Sequence, residues 1–364
     1  MQPDVRIVYI GQRGDQFVQV MRDHQAIDEV RTIYAGKWRR YHGQNIFVRL
    51  LDLKTAFFNV RDIFLIILGT MQSRRLMRKL KPSVVFIKGG FVGVPVGKAA
   101  GWRRIPYVTH DSDALAGLAN RLIAKKAAVH TVALPKELYK YPQDKTFTVG
   151  VPIAREYGLV NNTQMQSYRI ELGLQDADKI VFVTGGGLGA QIINETIAHI
   201  AGRLLEQHPG LYIIHNTGRL HGDVMRQAYA ERLSVAVKSR LIVKDYLTDM
   251  YRYSGAADIV VSRAGATAMA EFAAQGKPVV VVPNPILAGG HQMKNAEAFI
   301  KAKAVRIASE KDLRSNPDLL MNILEDLLEN PGSRAELGRN LHAFTHETSA
   351  KELAEILLKV AKKK

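Results

Sequence analysis

Short apolar runs, many of them rich in valine and isoleucine, recur along the chain and alternate with segments of helical pattern. The runs do not alternate strictly between apolar and polar residues, as a strand with one face in water would. Continuous apolar runs are typical of strands covered on both faces, which occur in parallel sheets flanked by helices. The sequence therefore predicts an α/β fold with doubly wound parallel sheets. The predicted strands are residues 5–11, 83–90, 105–110, 129–135, 179–187, 211–218, 240–246, 257–263 and 277–283.

The length of 364 residues suggests two domains. A boundary is expected near residues 150–160, where Gly150 and Pro152 precede a polar stretch, NNTQMQS, and a new helix–strand unit. We predict a first domain over residues 1–155 and a second over 156–345. Residues 346–364 should hold an amphipathic helix that packs back on the first domain.

Composition excludes several classes of site and points to an anionic partner. The chain contains no cysteine, so it can form neither a disulfide nor a cysteine-bound zinc site, and it suits a reducing compartment. Nearly all of the net charge of +17 lies in residues 1–155, which hold 26 lysines and arginines against 11 aspartates and glutamates. A basic half beside a nearly neutral half indicates contact with nucleic acid, anionic lipid or a phosphorylated substrate.

Two glycine-rich turns follow predicted strands. The first, Gly185 to Gly189, precedes a helix, and bare amides at a helix start attract phosphate. A tight turn that needs positive φ is the simpler explanation, but four glycines in five positions favour phosphate or sugar contact. The turn matches neither a dinucleotide-binding fingerprint nor a P-loop. At the second turn, Gly89-Gly90, the two explanations are equally balanced.

Two further segments follow predicted strands in the second half. In SRAGATAMAE (262–271) small residues at a helix start would let a ligand approach, and Glu271 could accept hydrogen bonds from a ribose diol. Stabilisation of the helix dipole explains Glu271 equally well. In LAGGHQMKNAEAF (287–299) His291 and Asn295 share a helix face with spacing i, i+4, and with Gln292 they suit sugar hydroxyls. A capped, solvated helix is the alternative.

In combination these segments resemble the MurG family of glycosyltransferases over most of the chain. The donor signature of that family is matched by SRAGATAMAE (262–271), its glycine loop by GGGLGA (185–190), and further motifs by HNTG (215–218), YLTDM (246–250) and HQMKN (291–295). In the first half the matching segments are GGFVGVP (89–95), HDSD (110–113) with GLAN (117–120), and GVPIAR (150–155).

The resemblance implies a GT-B fold, with two Rossmann-like domains facing a cleft. It implies inverting transfer of GlcNAc from UDP-GlcNAc to undecaprenyl-diphospho-MurNAc-pentapeptide, which converts lipid I to lipid II in peptidoglycan synthesis. No cofactor and no metal would be needed, because helix-start amides and Arg263 or Arg155 would carry the charge of the leaving UDP. The enzyme would work at the cytoplasmic face of the plasma membrane as a peripheral protein.

Residue roles follow from the matched motifs. Donor binding is expected at Gly186, Gly187, Leu188, Gly189, Asn194, Leu247, Met250, Arg263, Gly265, Ala266, Thr267, Glu271, His291, Gln292, Asn295 and Arg155. Acceptor binding is expected at Gly89, Gly90, Phe91, His110, Asp113 and Asn120. His110 and Asp111 are the candidate catalytic pair.

One departure from the family pattern bears on activity. Members of the family open with a strand and a G-G-T-G-G-H loop that supplies a histidine often assigned as general base, and this sequence has no such loop. We expect a missing N-terminal segment, which would leave an open hydrophobic slot in the first sheet. A non-catalytic scaffold that still binds the donor is the alternative. The acceptor motif also changes, with Asp111 in place of the family's glutamate.

Residues 50–81 predict contact with a membrane surface. Aromatic and aliphatic residues stand among arginines there, and the longest apolar run is too short to span a bilayer. The predicted patch comprises Phe57, Phe58, Phe64, Leu65, Arg61, Arg74, Arg75 and Arg78. The pattern predicts a basic, apolar pair of helices at the membrane surface, and a buried helix with a solvated end is the competing interpretation.

Two other functions remain as alternatives. A second kind of GT-B lipid glycosyltransferase, of the UDP-galactose:diacylglycerol type, would share these motifs. Nucleic-acid binding is motivated by charge alone, and we expect no such partner, because the basic residues interleave with aliphatic ones and no nucleic-acid-binding motif occurs.

Overall fold

A computed structural model of the protein describes residues 5–15, 17–37, 53–285 and 291–362, except the side chains of residues 53–56 and 291. Contacts divide the chain into two compact units. The first unit comprises residues 1–150 and 350–364, and the second comprises residues 151–349. The predicted domain boundary at residue 155 lies a few residues beyond this division.

The first unit contains two parallel sheets. Its elements are β1 (Val8–Gln12), α1 (Phe17–Asp23), β2 (Glu29–Ile33), α2 (Leu53–Leu80), β3 (Val85–Ile87), α3 (Gly93–Trp102), β4 (Tyr107–Asp111), α4 (Leu118–Ile123), β5 (Val129–Val132) and β6 (Thr146–Thr148). Strands β1 and β2 pair with each other, and β3 to β6 form a second sheet in sequential order. The C-terminal helix is grouped with this unit by its contacts.

A common core joins the two sheets. Ile10 and Ile33 from the β1–β2 pair lie in one hydrophobic cluster with Ile87 and Tyr107 from the other sheet. Within the described residues, β1 and β3 are not hydrogen-bonded to each other, and Phe86 on β3 is partly exposed. In the first unit, the structure therefore shows a two-stranded and a four-stranded sheet that share a hydrophobic core, where a single doubly wound sheet was predicted.

The second unit is a continuous six-stranded parallel sheet covered on both faces. Its elements are α5 (Asn162–Glu171), β7 (Lys179–Thr184), α6 (Gln191–Gln207), β8 (Leu211–Asn216), α7 (Gly222–Arg232), α8 (Val235–Lys238), β9 (Leu241–Lys244), α9 (Met250–Ala256), β10 (Ile259–Ser262), α10 (Ala266–Ala274), β11 (Val279–Val281), α11 (His291–Lys301), β12 (Arg306–Ile307), α12 (Glu310–Ser315), α13 (Asp318–Glu329) and α14 (Pro331–His342). The last helix of the chain is α15 (Ser349–Lys362).

Alternate residues of β7 build the two halves of the second core. Val181 and Val183 pack with the buried face of α6, whereas Ile180 and Phe182 pack with Phe272 of α10. Successive side chains of a strand point to opposite faces, so a strand covered on both faces must be apolar throughout. This is why the continuous apolar runs predicted a parallel sheet correctly.

All nine predicted strands overlap an observed strand, and the predicted α/β fold with parallel sheets is confirmed. Three short strands, β2, β6 and β12, escaped prediction because they are brief or polar. The predicted helix pair at residues 50–81 is wrong in its described part, since α2 is one helix of 28 residues. No helix of the described residues is long and apolar enough to cross a membrane.

Candidate active site

The order of strands in the second unit creates a place where a ligand can bind. The sheet order is β12-β11-β10-β7-β8-β9, so the chain winds outward in one direction from β7 and in the other from β10. At such a switch point the loops after adjacent strands part and leave a crevice outside the carboxyl ends. The loop after β7 is the Gly185–Gly189 turn, and the loop after β10 carries Arg263 and Gly265.

Most glycines of the Gly185–Gly189 turn have structural reasons. A Cβ on Gly185 would lie 2.3 Å from the backbone nitrogen of Ala190, and one on Gly189 would lie 2.1 Å from the carbonyl oxygen of Thr217. Gly186 and Gly189 both have positive φ. Gly187 has neither requirement, since its Cβ would meet the Tyr246 ring at 3.5 Å. Only Gly187 therefore counts as evidence for close approach of a ligand.

The segment after β10 presents open backbone at a helix start. Gly265 precedes α10 in extended conformation with no side-chain cap, and a Cβ there would meet nothing within 4 Å. Thr267 is exposed, whereas Ala266 and Glu271 are half-buried. Helix α10 thus keeps free space in front of its first amides, where an anion is favoured.

Tyr157 was missed by sequence reasoning. Burial, followed by the charge of Glu271 and a hydrogen bond to it, raises the pKa of the Tyr157 hydroxyl. The Tyr157 ring also meets Tyr251 edge-on, with centroids 6.2 Å apart. Glu271 is therefore positioned by a tyrosine from the segment where the boundary between domains was predicted.

Two amides predicted to bind the donor form buried hydrogen bonds to the loops. Asn194 is buried, donates from Nδ2 to the carbonyl of Thr217 at 3.0 Å, and contacts His215 Nε2 through Oδ1. Asn295 is also buried and donates to the carbonyl of Ala264 at 3.1 Å. These bonds hold the turns on either side of the switch point, so both residues support the site from beneath.

The two arginines expected to carry the leaving charge differ in their surroundings. Arg263 donates to the carbonyl of Val282 at 3.0 Å and forms an ion pair with the buried Glu310. Arg155 is almost fully exposed, with Glu156 at 3.8 Å. Arg155 is therefore the more available of the two, because Arg263 already neutralises a carboxylate.

The remaining predicted donor residues lie around the same edge. Gln292 accepts a hydrogen bond from the backbone nitrogen of Asn284, and the His291 side chain lies outside the described residues. Leu247 and Met250 are half-buried against the core, and Leu188 is exposed at the tip of the glycine turn.

In the first unit, the predicted acceptor residues meet at the carboxyl ends of β3 and β4. Gly89 and Gly90 have positive φ and turn the chain from β3 toward α3. A Cβ on Gly89 would lie 3.8 Å from Asn120 Nδ2, and that amide donates to the carbonyl of His110 at 2.9 Å. Phe91 is half-buried beside this turn.

His110 and Asp111 do not form a dyad. They are consecutive residues of β4, so their side chains point to opposite faces of the sheet. Asp111 accepts bonds from the Gly117 nitrogen and the Tyr141 hydroxyl, both at 2.8 Å. Burial raises the pKa of Asp111 against these bonds. Each carboxylate oxygen of Asp111 thus accepts one hydrogen bond, and Asp113 contributes its carbonyl to a bond from Tyr139.

His110 is buried, with an unusual electrostatic state. Burial, reinforced by the charge of Lys88, lowers its pKa to about 4, so the ring is neutral at pH 7. Among the described residues, neither His110 Nε2 nor Asn120 Oδ1 has a hydrogen-bond partner. Buried polar atoms are rarely left unpaired, so these two mark the part of the first unit that most needs a ligand or a water.

The comparisons with known proteins agree with this arrangement. Residues 3–131 match the glycosyltransferase family 28 N-terminal domain, and residues 180–355 match its C-terminal domain. A UDP-N-acetylglucosamine–N-acetylmuramyl-(pentapeptide) pyrophosphoryl-undecaprenol N-acetylglucosamine transferase of Caldicellulosiruptor saccharolyticus is 34% identical over 79% of this chain and 76% of its own length. The protein of the same name from Acetivibrio thermocellus is 30% identical, over 100% of this chain and 92% of its own length.

The chain belongs to the MurG family. A crystal structure of MurG from Acinetobacter baumannii matches it with a TM-score of 0.66 at 22% identity, covering 97% of this chain and 91% of that one. That likeness supports the fold, while the family rests on the sequence relatives.

Arg219 and Tyr246 lie together at the glycine turn, and neither is among the residues expected to bind the donor. The Arg219 guanidinium lies 3.9 Å from the centroid of the Tyr246 ring, and the Arg219 nitrogen donates to the carbonyl of Gly187. Arg219 follows the HNTG motif directly, so the sequence offered a weak signal for it.

The α2 helix exposes an apolar stripe. Phe57, Val60, Phe64, Ile67 and Leu68 are each about half exposed or more, at spacings of three and four residues. Such spacing places them on one face of the helix. Arg74, Arg75 and Arg78 are exposed near its end.

The other predicted patch residues are more enclosed. Phe58 and Leu65 are half-buried, and Arg61 pairs with Asp62 and lies over the Phe58 ring at 4.8 Å. Within the part of the chain that the structure describes, no group of three or more acidic or histidine side chains could hold a metal ion.

Proposed function

We propose that this chain transfers GlcNAc from UDP-GlcNAc to a MurNAc-pentapeptide carried on undecaprenyl diphosphate, as the names of its relatives describe. Transfer inverts the anomeric carbon. The acceptor hydroxyl forms the new bond while the bond to UDP breaks, with its electrons on the departing phosphate and the hydroxyl proton released to a base or to water.

The observation that carries the donor assignment is the switch point between β7 and β10. The Gly187 backbone and the start of α10 flank it, and both offer amides without side-chain obstruction. A helix start stabilises negative charge through unsatisfied N–H groups and the helix dipole. The diphosphate of the donor fits there, with stabilisation that grows as UDP leaves.

Glu271 supports recognition of the ribose. It lies in the second turn of α10 and is half-buried, with Tyr157 donating to it. A carboxylate has about four lone-pair sites, so it can accept from a ribose diol while it keeps the tyrosine bond. Arg155, exposed in the same unit, is the cation available for phosphate.

Recognition of the acceptor falls to the first unit. Gly89, His110 and Asn120 lie together, and two buried acceptor atoms there have no partner among the described residues. The sugar and peptide of the acceptor bring hydroxyl and amide donors that would satisfy them.

The α2 stripe supports reaching a lipid-linked substrate. Exposed phenylalanine, isoleucine and leucine on one face, followed by exposed arginines, are typical of a helix that lies in a membrane interface. The arginines add attraction to anionic lipids of the cytoplasmic leaflet. A peripheral position at the cytoplasmic face follows.

Calorimetric titration of UDP-GlcNAc into the full chain, with UDP-galactose as competitor, tests the donor assignment. We expect selective binding of UDP-GlcNAc, weakened in Glu271→Ala by about 1.5–3 kcal/mol, the range for hydrogen bonds to a charged group. Glu336→Ala, an exposed carboxylate on α14, is the matched control. Preference for UDP-galactose would instead support a diacylglycerol galactosyltransferase.

Release of UDP in the presence of the lipid-linked acceptor tests the transfer. Binding of UDP-GlcNAc without release, from a folded chain, would favour the donor-binding scaffold. Release with diacylglycerol but not with the MurNAc-pentapeptide lipid would contradict the proposed acceptor.

Sedimentation with phosphatidylglycerol–phosphatidylcholine vesicles tests the membrane stripe. We expect Phe57→Ser, Phe64→Ser, Ile67→Ser and Leu68→Ser combined to abolish binding while the unfolding transition stays in place, because all four side chains are exposed. The controls Leu138→Ser and Phe147→Ser, exposed elsewhere in the first unit, should bind normally. Loss of folding in the quadruple variant would mean that the stripe is part of a core.

A further inference from the structure

Three residues of β4 and β5, Thr109, His110 and Thr131, are joined by side-chain contacts at hydrogen-bond distance. The Thr131 hydroxyl donates to the carbonyl of Thr109 at 3.0 Å. The same oxygen lies 3.1 Å from His110 Nδ1. All three residues are buried in adjacent parallel strands, so water does not compete for these bonds.

The donors and acceptors in this chain can be assigned by elimination. A hydroxyl has one proton, and a carbonyl can only accept, so the Thr131 proton points to Thr109. The contact between His110 Nδ1 and Thr131 Oγ is then a hydrogen bond only if Nδ1 carries the proton. In a neutral ring one nitrogen is protonated and the other is not, so Nε2 holds a lone pair.

This assignment makes His110 Nε2 a buried hydrogen-bond acceptor. His110 Nε2 has no hydrogen-bond partner among the described residues, and neither has Asn120 Oδ1 on α4. The two residues are linked, because the Asn120 side chain donates from Nδ2 to the backbone carbonyl of His110. Both unpaired atoms accept, so the group that completes them must be a donor, such as a hydroxyl or an amide N–H, and not a phosphate oxygen.

We propose that Thr131 is a positioning residue that holds His110 in the Nδ1–H form, so that Nε2 accepts a hydrogen bond from a hydroxyl of the sugar acceptor. The role of the hydroxyl rests on the proposed function, whereas the proton position does not. Thr131 acts through His110 and makes no contact with the substrate itself.

His130, the neighbour of Thr131 in β5, provides a control inside the same protein. Its Nδ1 lies 2.7 Å from the Thr109 hydroxyl. Burial and then the charge of Lys145 lower the pKa of His130 to about 4, against the smaller opposing effect of a hydrogen bond to the backbone of Ala124. Since a backbone carbonyl can only accept, the Ala124 bond needs a proton on Nε2, and Nδ1 accepts from Thr109. His110 and His130 should therefore be opposite tautomers.

Nitrogen NMR of the histidine rings in the full chain at pH 7 tests the proton position without any need for activity. We expect His110 protonated on Nδ1 and His130 on Nε2. In Thr131→Val, which keeps the shape but removes the hydroxyl, His110 should lose its fixed Nδ1–H form while His130 keeps its own. Thr131→Ser should restore the original His110 signals. A wild-type His110 protonated on Nε2 would overturn the proposal.

Addition of a water-soluble MurNAc-pentapeptide diphosphate with a shortened lipid tests the second half. We expect the His110 Nε2 signal to shift on binding and Thr131→Val to weaken that ligand about tenfold, with Thr131→Ser near wild type. Affinity for UDP-GlcNAc should not change. Equal acceptor affinity in wild type and Thr131→Val would overturn the positioning role. A ligand shift at Nε2 without any transfer would uphold it and count against the proposed reaction alone.

Discussion

The two units of this protein use one architectural plan in different ways. In the second unit the sheet is continuous, the buried amides Asn194 and Asn295 donate to loop carbonyls, and the proposed donor contacts are backbone amides, Glu271 and Arg155. In the first unit the described strands form two sheets, and His110 Nε2 and Asn120 Oδ1 have no hydrogen-bond partner among the described residues. Backbone recognition suits a diphosphate, whereas side-chain acceptors suit hydroxyls and amides.

The surfaces differ in the same sense. The first unit exposes an apolar stripe on α2 and carries nearly all of the net charge, while the second is nearly neutral. A soluble donor requires neither feature, and a lipid-linked acceptor makes use of both. The surface of each unit therefore supports the proposed assignment of the acceptor to the first unit and of the donor to the second.

Acidification should separate the two units most strongly. Burial lowers the pKa of His110 and His130 in the first unit to about 4, and that of His215 in the second to about 3, from an ordinary 6.5. Between pH 6.5 and 4.5 the unfolded chain binds protons that the folded chain excludes. The free energy of unfolding therefore decreases as the pH is lowered, by up to about 1.4 kcal/mol per pH unit for each histidine.

Two such histidines against one predict that the first unit loses more, about 4 kcal/mol against about 2 between pH 6.5 and 4.5. The raised pKa of Asp111 in the first unit acts in the opposite direction and reduces this difference. Hydrogen exchange of the β4–β5 and β7–β8 amides at both pH values would measure this. His130→Gln should reduce the slope of the first unit by one proton. If the free energy of unfolding had the same dependence on pH in both units, the predicted difference between them would be wrong.

Arg263→Met should destabilise the second unit by about 3 kcal/mol, because among the described residues it leaves the buried Glu310 paired with the exposed Arg314 alone, at 3.7 Å. Adding Glu310→Met should recover most of the loss, as measured by urea unfolding. If the double variant is stable but binds UDP-GlcNAc weakly, Arg263 contacts the diphosphate after all.

Gly189→Ala should cost about 1–3 kcal/mol, since it forces a side chain into positive φ and against the Thr217 carbonyl. Gly187→Ala should leave thermal unfolding unchanged, because its Cβ would only touch the Tyr246 ring. The affinity of Gly187→Ala for UDP-GlcNAc then tests whether the donor contacts the Gly187 backbone. An unchanged dissociation constant would mean that no ligand approaches this residue closely.

The smallest effect is expected for Tyr157→Phe, which removes one hydrogen bond to Glu271. Affinity for UDP-GlcNAc should fall by about 0.5–1.5 kcal/mol in calorimetry, because the carboxylate loses its orienting partner. Tyr168→Phe, in the same row of rings beside Tyr251, is the matched control. Tighter binding in Tyr157→Phe would show that the tyrosine competes with the ribose.

The class of fold and the position of its loops could be predicted from the amino-acid pattern alone. Runs such as IVFV in β7 must be buried on both faces, and that condition alone requires a parallel sheet with helices on either side. Motif spacing also indicated which loops carry function, since glycines and small residues stand directly after strands. The family followed from those same segments.

The partners of the polar side chains could be identified from the folded structure but not from the sequence. Arg263, Asn194 and Asp111 look like ligand-binding residues in sequence, yet Glu310, His215 and Tyr141, distant along the chain, engage them in the fold. In the same way, Thr131 meets His110 only because β4 and β5 are paired in one register. A hydrogen bond requires two atoms to lie within about 3 Å of each other in the folded chain, and the order of residues along the sequence does not specify that distance.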